Sequence, residues 1–322
     1  MICSSRWLSG AALAASFTAI SLAGPNTYQL DESFESGSLA QPPWRVELGD
    51  FALGNVTVES SIVRSGKHAL SLVNNYTDPL KTRIRTEMVA ETAGVVKWGQ
   101  EYWVGFSLYL KDWEKSPLPE MVHQFHGYPH AYDWAHRSAR NLTGLYIKDG
   151  EMMLEVITKP KEGAASGGAG ADPVWKAPVE SNVWQDWVFH MRPSLGADGL
   201  MEVWRNGQQI YVQHGPNVDA LDESGREAIP AHYLKVGVYN WPWMKAKPPV
   251  TRREVIYDNI RIGHVEGGYT GGFAGITPKE PLPAAKPVPA TASAPVPATA
   301  PVPAVTEPAA STAPAAETKA AK

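Results

Sequence analysis

The sequence predicts an all-β domain, a two-sheet sandwich of jelly-roll type, and three observations lead there. Short runs of alternating apolar and polar residues recur through the middle of the chain, separated by Gly, Pro, Asn and Asp turn signals. Aromatic residues, which favour strands, are dense in the same region: of the 12 tryptophans only Trp7 lies outside it. No stretch keeps a helical period for long. A dozen or so short strands of this kind suit two packed antiparallel sheets.

The two ends of the 322-residue chain fall outside that pattern. Residues 1–23 read as an export signal: Arg6 supplies the charge, an apolar run extends from Trp7 to Leu22, and Ser21-Leu22-Ala23 is a small-residue cleavage site before Gly24. The run is broken by Ser, Gly and Thr and is short for a membrane span of about 20 apolar residues. A secreted or periplasmic protein without a membrane span is expected. The single cysteine, Cys3, lies within this signal, so no disulfide, thiol chemistry or cysteine metal site is expected in the mature chain. From Thr277 onward the sequence is dominated by Pro, Ala, Thr and Val without an aromatic residue, and such a segment buries no core. The expected organisation is therefore 1–23 signal, 24–276 one β domain, and 277–322 a disordered spacer, dispensable even when cut after Gly275. A monomer is expected. The net charge of −4 argues against nucleic acid as a partner.

Within the domain, short strands are expected at residues 31–36, 44–48, 54–59 and 68–73, and a long aromatic one at 102–110. The strand around 123–126 comes next. Residues 142–148 and 151–158 pair about Asp149-Gly150, and 199–205 and 208–212 about Asn206-Gly207, both strong hairpin signals. Residues 163–171, nine glycines, alanines and a serine, predict a mobile loop flanking a ligand groove. In 184–192, alternation puts Trp187, Phe189 and Met191 on one face and Val188, His190 and Arg192 on the other. Strands at 233–241 and 253–263 close the domain.

Strand parity then gathers chemistry, because side chains two apart share a face. Gln124 and His126 share one face of their strand. A strand over 81–88 would align Arg83, Arg85 and Glu87, and one over 233–241 would align Tyr233, Lys235, Tyr239 and Trp241. This inventory suits proton abstraction beside a carboxylate. Arg85 is permanently charged and shaped to take a carboxylate with two hydrogen bonds. Gln124 can stabilise charge that develops on it. His126 titrates near neutrality and can act as a base. Tyr239, with Lys235 four residues away to favour the phenolate, can be acid, base or both. Taken singly, Arg85 with Glu87 is also a surface ion pair, His126 a core histidine and Tyr239 or Trp241 aromatic filling; His190 and Arg192 are candidates for a supporting role.

The motifs around these residues resemble those of the jelly-roll polysaccharide lyases, the heparin lyase I-like family with the related glucuronan and alginate lyases. Arg85-Thr86-Glu87 matches an Arg-(Ser/Thr)-Glu motif and Gln124-Phe125-His126 a Gln-Ile-His motif. Tyr233-Leu234-Lys235-Val236-Gly237-Val238-Tyr239 matches Tyr-Phe-Lys-Ala-Gly-x-Tyr, in the same order. The likeness spans about residues 28 to 265, with Phe125 in place of the usual Ile and Asn240-Trp241 after the tyrosine. It implies a concanavalin A-like β-jelly roll and β-elimination on a uronic-acid-containing anionic polysaccharide, giving unsaturated oligosaccharides. It implies His126 and Tyr239 as the catalytic pair, Arg85 and Gln124 as carboxylate neutralisers, and substrate contacts from Lys235, Tyr233, Trp241 and Arg83.

Two other classes compete. A glycoside hydrolase needs two carboxylates about 5 to 9.5 Å apart, whereas the best same-strand pair, Glu151 and Glu155, would be roughly 13 Å apart at about 3.3 Å per residue, which leaves only a pair on different strands open. A non-catalytic carbohydrate-binding module would use Trp241 and Trp243 as stacking platforms. No cofactor is required for elimination. Asp31, Glu32, Glu35 and Asp258 are expected to be solvated acidic turns, the alternative being a structural calcium between the terminal strands with Glu35 and Asp258 as ligands; no zinc site is expected, since His123 and His126 would face opposite ways on a strand.

Overall fold

The computed structural model describes residues 26–39, 43–48, 53–128, 140–160, 172–222 and 224–283. The expected signal, the glycine-alanine stretch 163–171 and most of the expected spacer lie outside the described residues.

Sixteen strands form two antiparallel sheets. The first sheet runs β14 (Gln208–His214), β13 (Leu200–Arg205), β12 (Trp184–Arg192), β7 (Tyr102–Lys111), β16 (Arg252–His264), β4 (Ala69–Asn75) and β3 (Val56–Glu59), with β1 (Leu30–Glu32) along β16. The second runs β11 (Asp172–Pro178), β10 (Glu151–Val156), β9 (Thr143–Lys148), β8 (Glu120–Gly127), β15 (Ala231–Tyr239), β5 (Arg85–Val89) and β2 (Arg45–Leu48), with β6 (Val95–Lys97) along β15. The chain crosses between sheets after β1, β2, β4, β6, β7, β11, β14 and β15, which is the jelly-roll wrapping. Both expected hairpin turns carry left-handed φ at their two central residues, 54° and 79° at Asp149-Gly150 and 52° and 79° at Asn206-Gly207. That conformation is open to Asn, Asp and Gly at low cost and matches the strand twist.

The inward faces meet in one core. Trp187, Phe189 and Met191 of β12 face Phe125, Leu145 and Leu234 of the second sheet within it, all fully buried. Each large apolar side chain so placed contributes about 1.5–3 kcal/mol. Polar side chains also enter it. Arg253 of β16 and Glu120 of β8 form a fully buried ion pair at 2.8 Å that ties sheet to sheet, with the guanidinium 4.5 Å from the Trp113 ring centre. His123 lies among Phe106, Phe189 and Phe125 at 4.6, 5.3 and 5.5 Å between ring centres, and neither ring nitrogen has a hydrogen-bond partner.

Three expectations change. Residues 81–88 are not one strand: Pro79 starts a single turn of helix, α1 (Leu80–Ile84), with the amides of Thr82 and Arg83 bonded to its carbonyl, and the chain becomes extended only at Arg85. Arg83 therefore leaves the strand face, and its guanidinium stacks 4.9 Å from the Tyr76 ring centre. Trp241 likewise sits past the strand, in a 3₁₀ turn over Trp241–Met244. Finally, the packed domain continues beyond residue 276. A second short helix, α2 (Gly272–Ile276), lies on the outer side of the first sheet, where Ile276 is buried with Val188 and Tyr269. Arg261 then donates to the Thr277 carbonyl, and buried Arg64, paired with Asp186 at 2.8 Å, donates to the carbonyls of Glu280 and Pro281.

Two outcomes follow from this packing. Truncation after Pro283 should leave the melting temperature unchanged, whereas truncation after Gly275 should lower it, because it removes Ile276 and the carbonyls that satisfy Arg64; equal melting of the two would refute the clasp. Separately, burial holds the pKa of His123 at about 3 and that of His232 at about 4, below the unfolded value of about 6.5. The unfolded chain then binds more protons, so stability falls as pH drops from 6.5 towards 4. His123→Leu should shrink the drop in melting temperature between pH 7 and pH 4.5, and an undiminished drop would show that other groups govern it.

Candidate active site

The outward face of the second sheet carries the predicted chemistry. On β15, Leu234, Val236 and Val238 point into the core, which turns Tyr233, Lys235 and Tyr239 outward. Pairing with β8 sets Tyr233 opposite His126 and Lys235 opposite Gln124. Pairing with β5 sets Tyr239 opposite Arg85 and Gly237 opposite Glu87. Outward-facing residues of a sheet are ordinarily exposed, yet Gln124, Lys235 and Glu87 are almost fully buried. These groups therefore form a floor covered by neighbouring side chains, while Arg85, His126, Tyr233 and Tyr239 above it keep part of their surface open.

Local sequence sets the register. Gly237, at φ 142°, lets β15 approach β5 so closely that a Cβ would sit 2.1 Å from the Thr86 carbonyl oxygen, and the β15–β8 pairing shifts between Val236 and Tyr239. This is where the Lys-Val-Gly-Val-Tyr run needs its glycine. The amide of Asn240 donates to the Ile84 carbonyl, so the residue after Tyr239 is tied to the residue before Arg85. The Arg85 guanidinium lies 3.7 Å from the Tyr239 ring centre. Across β8, Gly144 opposes Gln124, and the Tyr146 ring folds over the space its side chain would take.

The floor is a network of charges and amides. Lys235 Nζ donates to Glu47 Oε1 at 2.7 Å, and Arg85 Nη1 lies 3.4 Å from the same oxygen. Arg85 Nε is 3.1 Å from Glu87 Oε2, an ion-pair contact outside hydrogen-bond geometry. The Gln124 amide donates to Glu87 Oε1 at 2.6 Å, and the Asn141 amide donates to Gln124 Oε1 at 3.0 Å, which fixes which way the Gln124 amide faces. Burial works against the Arg85 charge, but Glu87, Tyr239 and Glu47 outweigh it and raise its pKa. Burial lowers the Lys235 pKa in spite of Glu87 and Glu47.

His126 differs from its sequence reading in one respect. Burial, with the Lys235 and Arg85 charges, holds its pKa well below the usual histidine value, so it is neutral rather than half-titrated near pH 7. Its Nδ1 is 2.7 Å from the Gly127 carbonyl oxygen. A carbonyl can only accept, so Nδ1 carries the proton and Nε2 has the free lone pair. Burial also raises the pKa of Tyr233 and of Tyr146, keeping both phenols protonated. His126 and Tyr239 do not form a contacting dyad: the register puts them at opposite ends of a row, with Gln124 and Lys235 between.

The remaining predicted residues sort clearly. Trp241 flanks the site, 5.3 Å from Tyr239 and 6.1 Å from Tyr146 between ring centres, whereas Trp243 is fully buried and cannot be a stacking platform. Lys235 is held by Glu47 rather than by Tyr239, whose cationic neighbour is Arg85. His190 and Arg192 belong to the first sheet, bonded to Glu202 and Glu101 on its outer side, and give the site no support. Glu151 pairs with Lys176 at the surface. The calcium candidates Glu35 and Asp258 converge on the turn 64–68: Glu35 accepts the amides of Lys67 and His68, and Asp258 those of Arg64, Ser65 and Asn259. Asp258 is raised to about 6 by burial, with a smaller push from Glu35. Asp31 pairs with Arg261, and Glu32 caps Phe34 and Trp44. Among the described residues no group of three or more His, Cys, Asp or Glu is placed to hold a metal ion.

Sequence reasoning missed Glu47, Asn141 and Tyr146. Tyr146 was recoverable, since it shares an outward face with Gly144 in a predicted strand; Glu47 and Asn141 carry no local signal.

A family model described as polysaccharide lyase matches residues 27–261. No curated protein sequence matches the chain. Among solved structures the chain is similar to an endo-β-1,4-glucuronan lyase from the fungus Trichoderma reesei, at 18% identity over 74% of this chain and 95% of that one, with a TM-score of 0.53. It is also similar to a family 7 alginate lyase, at 12% identity over 65% and 82% of the two chains and a TM-score of 0.42. A β-glucanase catalytic domain from Podospora anserina aligns at 12% identity over 72% and 90%, with a TM-score of 0.45. At such identities the likeness speaks for the fold.

Proposed function

The chain belongs to the polysaccharide lyase family, and from that premise we propose that it cleaves an unsulfated, uronic-acid-containing polysaccharide by β-elimination. The observation that carries this reading is what one sheet face gathers: an arginine and an oriented glutamine, a neutral histidine with a free Nε2, and a tyrosine under the arginine. A uronate carboxylate bound at Arg85 and Gln124 makes the C5 proton removable, since both donors stabilise the negative charge that builds on the carboxylate as the proton leaves. His126 Nε2 takes that proton, the C5–H electrons form the C4=C5 double bond, and the C4–O4 bond breaks. Tyr239 gives its proton to O4. Proton exchange with water then returns His126 to neutral and Tyr239 to the phenol.

Glu47 and Glu87, the carboxylates at the floor, accept from a lysine and an amide and lie against Arg85. Carboxylates so engaged orient donors rather than protonate a glycosidic oxygen, which favours elimination over hydrolysis. Within the family we place the substrate on the glucuronan and alginate side rather than the heparin side, because both floor cations are already matched by carboxylates and spare charge for sulfates is lacking.

On an unsulfated polyuronate the product should absorb in the ultraviolet through its new double bond. Tyr239→Phe and His126→Ala should each lower kcat by about 10²-fold or more, and Arg85→Lys should impair both KM and kcat because the two-pronged contact is lost. Since His126 loses its proton well below the usual histidine range, the parent should stay active below pH 6. Folded Tyr239→Phe and His126→Ala variants with near-parent rates would refute the assignment. For Glu35 and Asp258 we propose that the carboxylates serve the turn 64–68 through its backbone amides rather than hold a calcium ion. Calcium added to chelator-treated protein should leave the melting temperature unmoved, and a rise would assign them a structural ion instead.

A further inference from the structure

We propose that Glu47 is a positioning residue of this site, fixing the Arg85 guanidinium through a carboxylate shared with Lys235. The inference rests on the lyase reading above and adds a residue outside all three motifs. Glu47 comes from β2, at the far end of the sheet from β8, and reaches under Arg85 with a buried side chain. A single oxygen, Oε1, meets Lys235 Nζ at 2.7 Å and Arg85 Nη1 at 3.4 Å, while Oε2 is buried without a hydrogen-bond partner. Glu87 holds the Nε edge of the same guanidinium. Arg85 is thus gripped on two edges, and the Tyr239 ring lies along its plane at 3.7 Å.

The charge arrangement gives the grip a second consequence. The groups facing Glu47 are Lys235, Tyr233 and Tyr239 on β15, Arg85 and Glu87 on β5, Gln124 and His126 on β8, and Arg45 on its own strand. On the floor Lys235 and Arg85 balance Glu47 and Glu87, with Arg45 exposed beside them, so the floor itself brings no net charge to the incoming uronate. Without the Glu47 charge the floor holds an excess cation. An anionic polymer is then bound more tightly before reaction, and Arg85 is free to follow it. Binding gained in the ground state and geometry lost in the transition state move KM and kcat in the same direction.

The test is steady-state kinetics on an unsulfated polyuronate. Glu47→Gln should lower KM and lower kcat by about 10-fold or more. Glu47→Asp keeps the charge but is one methylene shorter; it should lower kcat and leave KM at the parent value. Should Glu47→Gln fail to fold, the double variant Glu47→Gln/Lys235→Met removes both partners of the buried pair and the excess cation with them, and its KM should not fall below that of the parent. A folded Glu47→Gln with parent kcat and KM overturns the proposal, as does a KM lowered equally in Glu47→Asp or lowered in the double variant. Tyr239→Phe run alongside separates the two readings. An active Tyr239→Phe sinks the lyase assignment, whereas an inactive one beside a parent-like Glu47→Gln sinks the role of Glu47 alone.

Discussion

The site exists because β15 holds one register between β5 and β8. A slip of one residue against either neighbour would turn Lys235 and Tyr239 into the core and leave Val236 and Val238 facing water. The core itself resists that slip, since Leu234, Val236 and Val238 are fully buried in it. What specifies the site is therefore the same apolar alternation that stabilises the sheet. The irregularity within β15, at Gly237, falls beside the proposed site: the strand approaches β5 there, and the next outward residue is Tyr239.

Placing charges on a covered floor carries its own constraint. A buried ammonium or guanidinium costs several kcal/mol unless it is paired and hydrogen-bonded, and the floor holds both. Glu47 and Glu87 meet that requirement from two strands, which is why the cations need no substrate to remain folded. The same pairing limits what the site can recognise. Each cation is already engaged, so the ligand's carboxylate must find open donor edges rather than bare charge, and that rewards geometry over total charge. The arrangement differs from the Arg253–Glu120 pair in the core, where no open face remains and the ions serve only to join the sheets.

Much of this could be read from the sequence wherever the signal was local. Alternation fixed which residues of β8, β12 and β15 share a face, and Asn206-Gly207 and Asp149-Gly150 marked their hairpins. Reading failed where a decision was long-range. The run 81–88 alternates well enough for a strand, but Pro79 and the tie from Asn240 to Ile84 make its first half a helical turn. Glu47 is an unremarkable acid in a short edge strand until β5 and β15 are laid beside it. The end of the domain was set too early because Thr277 to Pro281 contribute backbone carbonyls rather than apolar side chains, and composition cannot register that.

The two outer faces of the sandwich differ in how far their polar groups are already engaged, which is why the site is proposed on the second sheet. On the first sheet, α2 and the residues that follow are fastened down by Ile276, Arg261 and Arg64. Its neighbouring polar groups are consumed by their own partners: His190 stacks on Trp103 at 3.9 Å and bonds Glu101 and Glu202 through both ring nitrogens. A histidine so occupied has no lone pair left for a substrate. His126 on the second sheet gives up one nitrogen to a backbone carbonyl and keeps the other. That difference in hydrogen-bond saturation, between two histidines each on an outward strand face, separates a residue that fastens the fold from one that can take a proton.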